Sequence, residues 1–299
     1  MPAVVEALAG HETAVLDLGY VEVTVVLDAG PRIVGYARHD VPQLFATLPG
    51  AIIEHPAYGA YALLGGHRLW RAPELPALTY QPDDGPVAFE RSQDGFRLSG
   101  SPEADGISKT IALRQRGRVA VVDHTLRNEG PLPLRCAAWA ITQLSTGGIA
   151  VLPHSLAPAD EDGVLPNRSV IMWPYTDPSA PEIEFRSSEL RIHASRRPSR
   201  AKLGQANSRG WVAYVLGDEL FVTWSPLHRE ALDYPDLGSS IECYRDERFL
   251  ELESLGPLTE LAPGESVHHR EVWMLRALDG APLDEVLAAL PVQPQEMVE

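Results

Sequence analysis

The chain contains few cysteines and lacks the short motifs of several common enzyme classes. Only Cys136 and Cys243 occur among 299 residues, which is typical of a reducing cytoplasm, although one disulfide is compatible with the sequence. No G-x-x-x-x-G-K-S/T, G-x-G-x-x-G or G-x-S-x-G motif is present. H-E-x-x-H and C-x-x-C are missing as well. These absences argue against P-loop nucleotide sites, dinucleotide sites, serine-hydrolase elbows and the commonest zinc and redox pairs.

Basic residues are also scarce. The chain has 25 lysines and arginines against 41 acidic residues, for a net charge of −16, which argues against nucleic acid and anionic membranes as partners. The N-terminal sequence MPAVVEALAG lacks the features of a signal peptide, and no run approaches the roughly 20 apolar residues that span a membrane. We therefore expect a cytoplasmic protein that binds a small molecule and needs no cofactor.

Short strand-like runs fill most of the sequence. The run Val21–Gly30 is rich in β-branched residues, and Gly210–Trp224 consists of two apolar runs around Gly217-Asp218, which predicts a hairpin. The 26 prolines and 24 glycines leave little room for long helices. One helix is predicted at Pro282–Leu290, which begins with acidic residues and is followed by a proline. We predict an all-β fold, an antiparallel sandwich or barrel, in a single domain over residues 1–299.

Acidic residues are concentrated near the end of the predicted sheet. In FLELESLGP the strand period of two directs Glu251 and Glu253 to the same face. Glu242 and Tyr244 share a face in the preceding strand, and a hairpin at 245–248 would set them beside the first pair. The cluster is either a solvent-facing strand surface or the lining of a polar cleft. In a cleft, like charges raise one another's pKa, which suits a general base.

The segment GGHRLWRAPE shows neither the alternation of a strand nor the pattern of an amphipathic helix. Gly65 and Gly66 predict a tight bend or a close approach of the backbone to a neighbour. We interpret His67, Arg68 and Trp70 after them as a binding loop, because a tryptophan ring can pack against the C–H face of a sugar.

Two other histidine features favour structural roles. His268 and His269 are neighbours in a predicted strand, so their rings point to opposite faces and do not share an ion. His124 lies between apolar residues of its strand face, which is typical of a hydrogen-bonded core histidine.

Several segments together resemble the galactose mutarotase-like superfamily: HTLRNEGPLPLRCAAWAITQL, FLELESLGPLTELAPGESVHHREVW and, for one of its uncharacterised subfamilies, GGHRLWRAPE, LPNRSVIMWPYTD and YPDLGSSIECY. The resemblance extends from about Gly65 to Trp273. It implies a β-supersandwich that binds a sugar on the concave face of its larger sheet. It also implies a glutamate base, which corresponds to Glu253 with Glu251 as the alternative. The strand that carries the acid histidine in that family aligns with RCAAWAITQL, where Trp139 and Ala140 stand instead.

Three functional hypotheses follow. The first is an aldose 1-epimerase-like isomerase acting on a sugar or sugar acid, with Glu253 as base, His67 as a substitute acid, and Arg68 or Lys202 binding the ligand. The second is a non-catalytic carbohydrate-binding or sensing domain on the same fold. The third is a metal-assisted lyase or isomerase with His67, Glu242 and Glu253 as ligands. The residues expected to bind substrate are Arg68, Trp70, Trp139, Arg168, Trp173, Lys202, Asp236, Glu242 and Tyr244.

Overall fold

Strands dominate the structure, a computed structural model that describes residues 8–227, 233–292 and 294. The first large sheet contains, in spatial order, β1 (Thr13–Asp17), β2 (Val21–Val26), β3 (Arg32–Arg38), β6 (His67–Ala72), β11 (Leu134–Ser145), β20 (Phe249–Leu255), β19 (Ile241–Arg245), β16 (Ala201–Gln205) and β13 (Ile171–Met172), with β21 (Thr259–Leu261) beside β11. The second contains β14 (Ile183–Phe185), β15 (Glu189–His193), β12 (Ile149–Pro153), β17 (Trp211–Leu216), β18 (Glu219–Trp224), β22 (Ser266–Ala277), β10 (Val119–Asn128), β9 (Ile107–Arg116), β8 (Gly95–Gly100) and β7 (Val87–Arg91). A separate hairpin joins β4 (Ile52–His55) to β5 (Gly59–Ala62), and the helices are α1 (Pro76–Thr79) and α2 (Leu283–Ala288).

The predicted all-β antiparallel fold is confirmed. The expected hairpin forms between β17 and β18, which turn at Gly217-Asp218 and pair from Trp211 opposite Trp224 to Leu216 opposite Glu219. The predicted C-terminal helix is α2, and both helices of the described chain are short. None of its helices is long and apolar enough to cross a membrane.

The core lies between the two sheets. Leu69, Leu250 and Leu252 from the first sheet pack there with Phe221 and Trp273 from the second. The Trp273 ring centroid lies 5.6 Å from that of Phe221, in an edge-on arrangement that aromatic pairs favour. Each strand of the first sheet therefore has one face toward this core, which we call the inner face, and one face away from it, the outer face.

The glycine pair before β6 has the close backbone approach that the sequence predicts. Gly65 has a φ of +89°, and a Cβ there would lie 2.1 Å from the carbonyl oxygen of Ala46. Gly66 has a φ of +74°, and its Cβ would lie 2.2 Å from the carbonyl oxygen of Ile33. Only glycine fits such positions without displacing the neighbouring backbone.

The segment after the glycines is a strand, so the prediction of a loop there is wrong. All six residues of β6 are buried, because the strand is central in the sheet and is covered on both faces. A strand covered on both sides does not need polar residues on alternate positions. Its hydropathy pattern therefore does not alternate.

The cysteines Cys136 and Cys243 are free, and both are buried.

Candidate functional site

Polar residues line up across the outer face of the first sheet. In the registers of β6, β11, β20 and β19, Arg68 pairs with Ile141, Ile141 with Glu253, and Glu253 with Glu242. Directly paired residues in antiparallel strands point to the same face. The strands thus bring Arg68, Glu253 and Glu242 into one row, and the hairpin at 246–248 sets the two glutamates side by side as the sequence predicts.

Two further rows flank this one. On one side Gln143 pairs with Glu251, Glu251 with Tyr244, and Tyr244 with Lys202. On the other side Trp70 pairs with Trp139. The outer face therefore combines carboxylates, cations and two tryptophans within a few strands.

Lys202 lies between two buried glutamates. Its Nζ is 2.7 Å from Glu242 Oε2 and 2.8 Å from Glu253 Oε2, and both glutamate side chains are 0% exposed. Burial would lower the pKa of Lys202, but the charges of Glu253 and Glu242 raise it well above its usual value. Burial raises the pKa of Glu242, and the charge of Glu253 adds to that rise. The group is an ion-paired cluster inside the protein, where removal of one partner is costly.

Glu253 accepts two hydrogen bonds on one of its oxygens, Oε2. Trp139 Nε1 donates to Oε2 at 2.7 Å, and Lys202 Nζ donates to Oε2 at 2.8 Å. Its other oxygen, Oε1, is buried and has no hydrogen-bond partner among the described residues. One oxygen of this carboxylate is therefore fixed by two donors, and the other makes no hydrogen bond with the described residues.

Glu251 has a different environment from Glu253. Gln143 Nε2 donates to its Oε1 at 2.8 Å, and Arg68 Nη2 lies 3.8 Å from the same oxygen. Burial and the charge of Glu253 raise the pKa of Glu251 to about 7. Two carboxyl groups on one strand face, about 7 Å apart along the strand, thus have different hydrogen-bond donors around them.

Aromatic rings surround these charges. The Arg68 guanidinium stacks 3.6 Å from the centroid of the Trp70 ring, and Lys202 Nζ lies 4.5 Å from the Trp139 ring and 4.7 Å from the Trp173 ring. Several buried polar atoms here have no hydrogen-bond partner within the part of the chain that is described: Arg68 Nε and Nη1, Trp70 Nε1 and Gln143 Oε1. Buried groups of this kind are rare unless a ligand or water completes them.

His67 does not join this face, which corrects its expected position beside Arg68 and Trp70. Adjacent residues of a strand point to opposite faces, and His67 points inward, where its ring lies 4.7 Å from that of Trp273 in the second sheet. Burial lowers the pKa of His67 well below its usual value. The expected metal set of His67, Glu242 and Glu253 is for the same reason not brought together.

The other expected binding residues divide into two groups. Trp173 and Tyr244 are at the outer face. Asp236 lies near Lys202: burial raises the pKa of Asp236, and the charge of Lys202 offsets part of that rise. Arg168 is exposed and donates to the backbone carbonyl of Ser187 at 2.9 Å. It is not brought to the cluster.

Two residues of the outer face, Gln143 and Arg32, were not predicted from the sequence. Gln143 holds Glu251, and Arg32 pairs with Arg68 in register while its Nη2 donates to Asp83 at 2.7 Å. Gln143 is a polar residue in the buried part of β11, and that interruption is the signal that could have identified it. Arg32 is the first residue of β3, where a charged residue is not unusual.

No protein-family model matches the chain, and neither does any curated protein. Solved structures do match, and the fold that they define is galactose mutarotase-like. A galactose mutarotase-like protein from Lactobacillus casei ATCC 334 aligns with a TM-score of 0.55 at 10% identity, over 89% of this chain and 100% of its own. A proposed aldose 1-epimerase from Escherichia coli K12 gives a TM-score of 0.55 at 14% identity, over 90% and 100%. A TPR-domain containing protein from Parabacteroides distasonis ATCC 8503 gives 0.62 at 12% identity, over 97% of this chain and 51% of its own.

Proposed function

We propose that the chain binds a sugar or sugar acid on the outer face of the first sheet and interconverts its anomers or epimers by proton transfer. The observation that carries the proposal is the pair of unlike carboxyl groups on β20. Glu253 has one oxygen fixed by two donors and the other without a partner. Glu251, two residues away, has a pKa raised to about 7. Two carboxyl groups on one face in different environments are typical of acid–base pairs.

Glu253 is the proposed base. Lys202 and Trp139 both donate to Oε2, so they fix the orientation of the carboxylate. Its Oε1 is then free to accept the proton of the anomeric hydroxyl.

Glu251 takes the acid role that the sequence analysis gave to His67. With a pKa of about 7, it carries a proton in a large fraction of molecules at neutral pH, which suits a general acid. Glu251 donates its proton to the ring oxygen as Glu253 removes the proton from the anomeric hydroxyl. The bond between C1 and the ring oxygen breaks, the open-chain aldehyde rotates about C1–C2, and the reverse transfers close the ring and restore both carboxyl groups.

The remaining residues of the face would bind the substrate. Trp70 and Trp139 offer ring surface to the C–H side of a sugar. Arg68 has two buried nitrogens without a partner among the described residues, and such a guanidinium suits a carboxylate or neighbouring hydroxyls. The names of the similar structures, which include a mutarotase-like protein and a proposed epimerase, support a carbohydrate ligand.

A non-catalytic carbohydrate-binding domain is the second candidate, favoured by one observation. Trp139 stands in the strand that carries the acid histidine in the family that the sequence resembles. Its Nε1–H donates a hydrogen bond to Glu253, the glutamate expected to be the base. In that case the cluster would only recognise hydroxyl groups.

The test is exchange NMR of anomers for a panel of aldoses and uronic acids. We expect catalysed exchange by the wild type and a loss of about 100-fold or more in Glu253→Gln, because a positioned general base contributes 10²–10⁴-fold. Glu260→Gln is the matched control, since Glu260 is exposed on β21 and its side chain is 73% accessible. Unchanged exchange in Glu253→Gln would remove the base assignment. Calorimetric binding of a sugar without exchange by the wild type would favour the binding domain.

A further inference from the structure

A second polar cluster lies on the inner face, between the sheets. His67 extends from β6 of the first sheet, while His124 and Glu271 extend from β10 and β22 of the second. All three are at most 2% exposed. One potential ligand atom from each lies within 4.8 Å of the other two. No residue of this trio takes part in the chemistry proposed for the outer face.

The remaining polar atoms of the trio are held by neighbours. His67 Nδ1 is 2.9 Å from Thr142 Oγ1, and His124 Nδ1 is 3.2 Å from the backbone carbonyl oxygen of His269. The second nitrogen of each ring, Nε2, faces the other ring, and the two Nε2 atoms are 2.7 Å apart. An imidazole that is oriented through one nitrogen and offers the other is the usual arrangement of a metal-binding histidine.

Glu271 is oriented in the same manner. Ser254 Oγ donates to its Oε1 at 2.5 Å, and Trp273 Nε1 donates to its Oε2 at 2.7 Å. No lysine or arginine of the described chain forms an ion pair with this carboxylate. The ionised form of a buried carboxyl group is costly without a cation beside it, and a bound cation would stabilise that form.

We propose that His67, His124 and Glu271 bind one divalent transition-metal ion, of which zinc matches the donors best. Two imidazole nitrogens and one carboxylate oxygen form a ligand set that zinc accepts in tetrahedral geometry, with one position left for a solvent molecule. Bonds of about 2.0–2.1 Å separate two tetrahedral ligands by about 3.3 Å. The two Nε2 atoms would have to separate by roughly 0.6 Å from their present distance, and the Glu271 oxygen, which lies within 4.8 Å of them, would have to move closer by side-chain rotation.

The ion would join the two sheets, because its ligands come from β6 on one side and from β10 and β22 on the other. It would lie on the inner face of the strands that carry Arg68 and Glu253 outward. Its role is therefore to hold those strands against the second sheet, without contact with a sugar on the outer face. Without an ion, the His67 Nε2–H would donate to His124 Nε2, and this hydrogen bond is the competing arrangement.

The experiment uses full-length, tag-free protein stripped with a chelator and then titrated with zinc chloride or cobalt chloride. We expect one zinc per chain by mass spectrometry of the metal content, a Kd in the micromolar range or lower, and a Tm that rises by several degrees with zinc. Cobalt should give the visible absorption of a tetrahedral site. His124→Gln and Glu271→Gln should lose both the stoichiometric zinc and the cobalt spectrum. The matched control is His268→Gln, an exposed neighbour in β22 that contacts Thr125, and it should retain both.

If the variants do not fold, the stoichiometry and cobalt spectrum of the wild type decide. A wild type that takes up no stoichiometric zinc, even when refolded with it, and gives no cobalt absorption would overturn the proposal in favour of the hydrogen bond between the two histidines. Retention of the cobalt spectrum by His124→Gln would overturn it as well.

Discussion

The substitution Lys202→Met removes the only cation that contacts both Glu242 and Glu253 in the described part of the chain. Methionine keeps most of the length and apolar volume of the lysine side chain. The change therefore acts on charge and leaves the packing against the Trp139 and Trp173 rings largely intact. The consequence is a pair of buried carboxyl groups with no neutralising partner.

The size of the effect follows from the burial of all three groups. The Lys202 side chain is 4% exposed, and those of Glu242 and Glu253 are 0% exposed. Removal of one member of a buried ion pair costs about 3–5 kcal/mol, and we expect a loss in that range at pH 8. Loss of the lysine charge should raise the pKa of Glu242 further in the variant. The folded state then binds protons that the unfolded state does not bind until near pH 4, so stability falls with increasing pH and recovers in part at pH 5.

Urea unfolding of both proteins at pH 5 and pH 8 measures this difference. Arg270→Met is the matched control, because Arg270 is 60% exposed and its pair with Asp123, 2.6 Å away, is at the surface; its loss should stay below about 1 kcal/mol at both pH values. A loss below about 1 kcal/mol for Lys202→Met, or a larger loss at pH 5 than at pH 8, would refute the reasoning.

Two other predictions concern the glycine pair and the proposed acid. Gly65→Ala should lower the free energy of unfolding, measured with urea, by at least about 1 kcal/mol. The reason is that the new Cβ would lie 2.1 Å from the Ala46 carbonyl oxygen, at a φ of +89°. The control Gly19→Ala also has a positive φ but no atom within 4 Å of its Cβ, so it separates the clash from the cost of positive φ. If the wild type catalyses exchange, its rate should fall as pH rises through about 7, because the pKa of Glu251 is raised to that value and the acid must be protonated. Glu251→Gln should abolish this dependence, and an exchange rate that is flat from pH 5 to 9 in the wild type would contradict the acid assignment.

The fold was largely predictable because its signals are local. β-branched runs and turn residues predict the strands, and the Gly217-Asp218 turn predicts a hairpin that the structure contains. The row of Glu242 beside Glu253 was predictable as well, since strand alternation and a short turn fix both faces and register.

The error at His67 has a physical cause. Strand alternation assigns His67 and Arg68 to opposite faces, but a central strand buried on both sides does not show the hydropathy pattern that identifies it as a strand. Local sequence patterns also do not predict which residues Lys202 contacts. β16 meets β19 only through the long-range order of the sheet, so the contact of Lys202 with both glutamates becomes visible only when the sheet is assembled.

The strand β6 has a consequence for changes of chain length. Arg68 and His67 are one residue apart, yet one faces the carboxylates outside the sheet and the other faces the histidine and glutamate of the second sheet. Deletion or insertion of one residue after Gly66 would exchange every side chain between the two faces, driving a guanidinium into the apolar layer and an imidazole out of it. Homologous or engineered chains can therefore vary in the loops around this strand, but the spacing from Gly66 to Trp70 should be as constant as the residues themselves.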